Sequence, residues 1–365
     1  MLSSIRALPF ALVLVLFSLP AAADDSNAAP TWVDRFAFKG DLRLRHETID
    51  IQDVETRRRM RFRTRFGFTA DVSDNVDFVM SIASGGDDPV STNQNFGDGF
   101  TTKDLGIDLA YIDWAAMDGL NIYAGKMKNP LFKAGKVPLV WDSDLNPEGI
   151  AASYKAGIFF ANAGGFTVQE RAIADDSFLY AGQVGVKLAL GDSGKLTAGI
   201  GHFAYTNTVG NTPFYNGRPK GNSVSIANNY LYDYKTSEVF AQFDTQLFDL
   251  PFQIFGHFVQ NSEVSDQDTG YSFGVNLGNA KKQGEQQFYW IYQDIEADAV
   301  IATFNDSDFG GGGTDSSGHM VKYRYMLRDK IALGGTLYIN QIGQNLLGAE
   351  RDYNRLQLDV EFLFN

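Results

Sequence analysis

Residues 57–70 read Arg-Arg-Arg-Met-Arg-Phe-Arg-Thr-Arg-Phe-Gly-Phe-Thr-Ala, a stretch that constrains the fold of the whole chain. Its odd positions carry Arg57, Arg59, Arg61, Arg63 and Arg65, and its even positions Met60, Phe62, Thr64, Phe66, Phe68 and Ala70. A period of two is the mark of a strand with one guanidinium face and one apolar face. Wound as a helix, the same residues set Arg59 and Arg63 beside Phe62 and Phe66, with no apolar stripe. Two settings accept such a strand. In a soluble sandwich the phenylalanines meet a core and the arginines meet bulk water. In a membrane barrel the phenylalanines meet lipid and the arginines a wet lumen. A nucleic-acid patch is a third reading of a basic run.

The amino terminus bears on that choice. Arg6, an apolar stretch over 7–19 and the small residues Ala21-Ala22-Ala23 before Asp24 make 1–23 a secretory signal peptide. No later run approaches the roughly 20 apolar residues of a spanning helix, so a membrane protein of this sequence crosses with strands. About 340 residues then remain, an ordinary length for a large barrel. The formal charge of −13 argues against nucleic acid as partner, and the absence of cysteine excludes disulfides, thiol catalysis and cysteine metal sites.

Downstream, alternating runs are separated by connections that are short and long in turn. Short ones fall at 71–75, 117–119, 155–157, 191–194, 248–250 and 328–330. Long ones fall at 48–56, 85–103, 129–149, 206–234, 298–317 and 342–351. Up-and-down barrels require this alternation. The runs number about sixteen, from 36–46 and 57–70 to 352–364, and the expected fold is an all-β, transmembrane, antiparallel barrel over 36–365, with 24–35 a short periplasmic segment. In the last run Leu356, Leu358, Val360, Phe362 and Phe364 share one face, although Asn365 follows the terminal aromatic. Residues 288–292 are apolar on both faces, so register is open there. Tyr323, Tyr325 and Tyr353 are candidates for aromatic girdles.

The stretches 84–94 (Ser-Gly-Gly-Asp-Asp-Pro-Val-Ser-Thr-Asn-Gln), 97–99 (Gly-Asp-Gly), 108–114 (Asp-Leu-Ala-Tyr-Ile-Asp-Trp), 124–130 (Ala-Gly-Lys-Met-Lys-Asn-Pro) and 141–149 (Trp-Asp-Ser-Asp-Leu-Asn-Pro-Glu-Gly) resemble the bacterial "putative porin" family. The resemblance implies a Gram-negative outer-membrane barrel, set in lipid and lipopolysaccharide, that passes small hydrophilic solutes or ions. It also makes a homotrimer an expectation. In general porins the loop between the fifth and sixth strands folds inward; here that loop is 129–149. Arg43, Arg45, Arg57, Arg59, Arg61, Arg63 and Arg65, extended by Lys126 and Lys128, are then the expected basic wall, and Asp142, Asp144 and Glu148 the opposing constriction acids. Opposed charges narrowing an aqueous lumen select by charge. The alternative is an anion- or phosphate-selective pore with an arginine ladder and little acid opposite.

Other chemistry finds little support. Asp142-Ser143-Asp144 resembles part of a calcium loop but lacks the glycine and glutamate that complete one. Asp87-Asp88-Pro89 and 306–308 read as turn chemistry, and Gly310 to Gly313 as a flexible outer loop without the Lys-Ser or Lys-Thr of a phosphate cradle. His46, His202, His257 and His319 lie near no nucleophile elbow, so neither catalytic residues nor a cofactor nor a metal is expected. A hydrolytic or adhesive barrel is the competing class.

Overall fold

The computed structural model describes residues 32–344 and 348–364. The expected leader at 1–23 and Asn365 lie outside the described residues, as does most of 24–35, of which Trp32–Arg35 forms a 3-10 turn. The remainder is one antiparallel sheet of 17 strands closed on itself. In chain order these are β1 (Phe36–Ile51), β2 (Arg57–Ser73), β3 (Val76–Ser84), β4 (Gln94–Asn95), β5 (Leu105–Met117) and β6 (Leu120–Lys126). Next come β7 (Glu148–Ala156), β8 (Phe159–Gln169), β9 (Ser177–Ala189), β10 (Lys195–Tyr205), β11 (Lys235–Leu247) and β12 (Leu250–Asn261). The last are β13 (Thr269–Gly278), β14 (Gln286–Ile295), β15 (Ser316–Arg328), β16 (Ile331–Ile342) and β17 (Arg351–Phe364). Setting aside the two-residue β4, which sits in a connection and bridges to β2, sixteen strands make the wall.

Closure is a seam between the first and last strands, running from Gly40 opposite Phe364 to Ile51 opposite Tyr353. It removes both sheet edges, which inside a bilayer would strand a row of backbone donors and acceptors. Every neighbour in the wall is antiparallel, and turns alternate with longer connections at the two ends. The turn at 248–249 holds Phe248 and Asp249 at φ 53° and 61°, the left-handed pair that matches hairpin twist. One connection departs from the alternation: 279–285, at the end of the short turns, is as long as 262–268 at the opposite end.

The period-two pattern is visible as burial. On β1, Arg43, Arg45, Glu47 and Ile49 are buried; on β11, Thr236, Glu238 and Phe240 are buried while Ser237, Val239 and Ala241 are exposed. The exposed set is apolar over much of the wall, including Met60, Phe66, Val184, Ile200, Val239, Ile254 and Leu358. The register left open in β14 resolves here, with Ile291, Gln293 and Ile295 on the buried face. Tyr323 is exposed, but Tyr353 is buried against Arg355, so it belongs to no girdle.

Three connections are packed rather than loose. Residues 127–147, 206–234 and 296–315 bring Trp141, Phe214, Ile301 and Phe309 into one apolar cluster with the strand residues Phe203, Phe240 and Phe255. Rings meet edge-on or stacked, Trp141 with Phe203 at 5.3 Å and Phe214 with Phe304 at 5.8 Å. Buried loop backbone needs partners. Asn222 supplies them, donating to the Ala297 and Val300 carbonyls at 2.7 and 2.8 Å and accepting from the Ala302 amide at 2.8 Å. The glycine run at 310–313 is therefore no flexible outer loop: Phe309 beside it is buried, and the Gly310 amide donates to Asn340 Oδ1 at 3.0 Å.

Candidate functional site

The arginines of β2 meet those of β1 directly. The ladder sets Asp41 opposite Arg65, Arg43 opposite Arg63, Arg45 opposite Arg61 and Glu47 opposite Arg59. Two adjacent like-charge pairs across a ladder are unfavourable alone. They are tolerated because carboxylates stand on every side. Asp41 takes Arg63 at 2.7 Å and Arg65 at 3.0 Å. Glu47 takes Arg59 and Arg355, and Gln357 also donates to it at 3.1 Å. Across the seam, Asp359 accepts a two-pronged contact from Arg45 at 2.7 and 2.8 Å. Such forks are the strongest ion-pair geometry available to arginine.

A further acid comes from the 296–315 connection. Asp308 reaches Arg355 at 2.6 Å and Arg45 at 3.3 Å and accepts from Gln357 at 3.0 Å. Burial alone would raise its carboxyl, but Arg355 and Arg45 hold it well below the ordinary range. Its neighbour Asp306 goes the other way, pushed up to about 6 by burial and by Asp308. Reading 306–308 as turn chemistry thus missed a member of the cluster. Glu47 lies beyond the expected first run, 36–46, because the β1 ladder continues to Ile51.

The expected residues do not all converge. Arg43, Arg45, Arg59, Arg61, Arg63 and Arg65 share this face; Arg43 donates to Asn93 at 2.6 Å, and Arg61 stands 3.7 Å from Glu47. Arg57 is exposed at the start of β2. Of the three acids, only Asp144 touches the row, at 3.3 Å from Arg65. The Asp142 carboxylate is taken up by backbone, accepting from the Asp144 amide at 2.8 Å and the Ser307 amide at 3.0 Å, so that it ties two connections together. Burial, with Asp306 and Asp144 beside it, raises that carboxyl well above the usual value. Glu148 belongs not to the connection but to the start of β7, where it pairs with Lys126 at 2.8 Å. Lys128 donates to the Ser143 carbonyl at 3.4 Å. Lys133, pushed down to about 8 by burial, donates to Ser143 Oγ at 3.1 Å.

Residues 127–147 lie against the sheet face that carries these charges. The Phe132 amide donates to Gln183 Oε1 at 2.9 Å, the Gly135 amide to Gln242 Oε1 at 2.9 Å, and Tyr289 Oη to the Gly135 carbonyl at 3.0 Å. Strands β9, β11 and β14 thereby anchor one connection. The histidines make strand contacts: His257 Nε2 pairs with Glu238 at 2.7 Å, its buried Nδ1 having no hydrogen-bond partner among the described residues, His202 pairs with Ser237 at 3.1 Å, His46 contacts Thr48, and the His319 ring lies against Trp290 and Tyr292. Among the described residues no group of His, Cys, Asp and Glu has the arrangement of a metal site.

A closed sixteen-stranded antiparallel wall, apolar over much of its exposed face and carrying the arginine and carboxylate cluster on the other face at β1, β2 and β17, defines a transmembrane β-barrel of the porin class. The family model described as "Putative porin" matches residues 51–229 and 220–364, and the chain belongs to that family, whose place is the bacterial outer membrane. Solved structures show the same fold at low identity. Pseudomonas putida OprB, in a high-pH structure, is 13% identical with a TM-score of 0.61, covering 90% of this chain and 94% of its own. Vibrio cholerae OmpT lacking one loop is 12% identical at 0.52, covering 91% and 100%. A double-substitution variant of the Rh. blastica porin is 11% identical at 0.51, covering 90% and 100%. No curated protein matches in sequence.

Proposed function

We propose that the protein is a water-filled diffusion channel for small hydrophilic solutes and ions, with the arginine and carboxylate face lining its lumen and residues 127–147 forming the constriction. The observation that carries this reading is the interleaving of charge. Arg45, Arg59, Arg63, Arg65 and Arg355 each have a carboxylate within 3.3 Å, supplied by β1, β17 and two connections. A charged face of this kind, backed by an apolar exposed face, is stable in a membrane only against water. Because acids stand level with the arginines, the wall orients dipolar solutes and selects weakly by sign. An anion ladder calls for unopposed cations, and Asp41, Glu47, Asp308 and Asp359 oppose them here.

Signal peptide removal near Asp24, a periplasmic segment over 24–35 and assembly as a homotrimer belong to the same reading. Channel function also accounts for the histidines without chemistry, since each serves a strand contact. Liposome swelling tests the proposal: folded protein should admit arabinose faster than a disaccharide. Folded protein that admits neither would replace the channel with a plugged, adhesive or hydrolytic barrel.

A further inference from the structure

We propose that Glu238 and His257 are positioning residues for the constriction: through Gln183 they hold residues 127–147 on the wall, and the charge on the imidazole sets how firmly. The network is continuous. On β9, Gln183 meets the Phe132 peptide twice, its Oε1 accepting from the Phe132 amide and its Nε2 donating to the Phe132 carbonyl, each at 2.9 Å. The same Nε2 donates to Glu238 Oε1 on β11 at 2.7 Å. His257 Nε2 on β12 lies 2.7 Å from the other oxygen, Glu238 Oε2, and donates to it because a carboxylate only accepts. Two side chains thus connect a histidine to the backbone of the connection.

Each link has one arrangement. Gln183, Glu238 and His257 are 2, 3 and 6% exposed, so none of them has solvent to fall back on. Asn162 Nδ2 also donates to Gln183 Oε1, at 3.1 Å, and turning the Gln183 amide over would break its contacts with Phe132, Asn162 and Glu238 together. Packing follows the same route: the Phe132 ring lies 5.3 Å from Phe240, whose ring meets His257 edge-on at 6.2 Å. Across its two ladders His257 stands opposite Phe240 and Ser272. The other charged or titratable groups at the anchor are Lys187 of β9, 5.7 Å from the Phe132 ring, Tyr289 of β14, which donates to the Gly135 carbonyl, and the connection's own Lys133 and Lys136. Among the described residues Glu238 forms its ion pair with His257 and with none of these. Histidine is the side chain whose charge changes in the physiological pH range. With the imidazole protonated, Glu238 has its cation and stays turned to Gln183. With it neutral, Glu238 is a buried charge without a cation, a costly state that opening to water relieves. The Phe132 anchor then loosens, and the connection swings from the wall into the lumen.

The inference rests on the channel reading for its effect on current, so the anchor is also measured without current. Hydrogen exchange of residues 127–147 is followed in the refolded full chain at about pH 5.5 and about pH 8, either side of the ordinary histidine range, and corrected for the intrinsic rate at each. Single-channel records are taken at the same two values. In the wild type, exchange around Phe132 should be about tenfold slower at the lower pH, the ratio for roughly 1.4 kcal/mol, and partial closures rarer. His257→Gln keeps a donor for Glu238 but no charge, and should bring the protection at the lower pH down to the wild-type value at the higher one. Glu238→Gln keeps an acceptor for Gln183 and should likewise remove this difference. Asp306, raised to about 6, titrates in the same range and is kept in both variants, so the result is read as the difference between proteins. Equal protection of the wild type at both pH values, or a pH dependence of the same size in folded His257→Gln, would overturn the proposal. A barrel whose exchange responds as stated but which passes no current would retire the channel and keep the anchor; one that conducts without that response would do the reverse.

Discussion

Arg45 and Asp359, 314 positions apart in the chain, face each other across the seam that closes the barrel, with the guanidinium Nε and Nη2 donating to the two carboxylate oxygens at 2.7 and 2.8 Å. The first and last strands are thus joined by a charge-assisted fork as well as by their backbone ladder. Asp308 adds a third charge to the same guanidinium. Removing Arg45 leaves two acids without this partner. Arg45→Met should therefore lower unfolding stability by about 3–5 kcal/mol, the usual result of breaking a buried pair from one side. The urea midpoint of the refolded barrel measures it, and an unchanged midpoint would mean the seam is held by backbone alone.

The ladder also predicts selectivity. Replacing Arg59, Arg61 and Arg63 with glutamine leaves Glu47 and Asp41 with fewer cations beside them. The permeability ratio of potassium over chloride should rise about fivefold, the Boltzmann factor of roughly 1 kcal/mol between unit charges near 4 Å in water. If the variant folds, conducts and keeps its reversal potential, these side chains do not line the path.

Gly135 offers a handle on the constriction. Its φ is +59°, and a Cβ there would come within 2.4 Å of the Phe255 ring. A side chain must therefore push 127–147 away from β12. Gly135→Leu should lower single-channel conductance, because the connection is displaced from the wall toward the lumen, and loosen the contacts of Gln183 and Gln242 with it. Unaltered conductance in a folded variant would place the narrowest point elsewhere.

Asp306 gives a pH prediction with a definite sign. Its carboxyl is raised to about 6 by burial and Asp308, from an ordinary 3.8, so the fold favours its protonated form. The stability it contributes is complete below about pH 4 and is lost as pH rises through about 6. Asp306→Asn imitates the protonated state at every pH. Relative to the parent, the variant should gain up to about 3 kcal/mol between pH 4 and pH 7.5. The substitution also removes the Asp306 charge that stands beside Asp308 and helps to raise Asp142, so the gain is read for this group of acids together. Urea midpoints at the two pH values decide it, and a gain independent of pH would contradict the assignment.

The strands were legible because lipid on one side and polar surroundings on the other impose period two along each of them. Runs such as 76–84 and 195–205 coincide with β3 and β10, and the arginine run with all but the end of β2. Partnership was not legible, because it depends on closure. Nothing local tells Arg45 that Asp359 will be its neighbour, or that Asp308 will arrive from a connection. Glu47 was within reach, since it shares the parity of Asp41, Arg43 and Arg45. The packed connections hid for a different reason: 206–234 and 296–315 have no periodicity, and their burial comes from side-chain caps such as Asn222 and Asp298 rather than from an apolar stripe.

Planar-bilayer recording across a potassium chloride gradient tests the central claim most directly. Folded wild-type protein should insert in discrete steps of conductance and show a reversal potential close to zero, the mark of arginines and carboxylates opposed at one level. A large reversal potential on the anion side would mean the carboxylates do not offset the arginines along the path, and a folded barrel that gives no steps at all would contradict the channel itself.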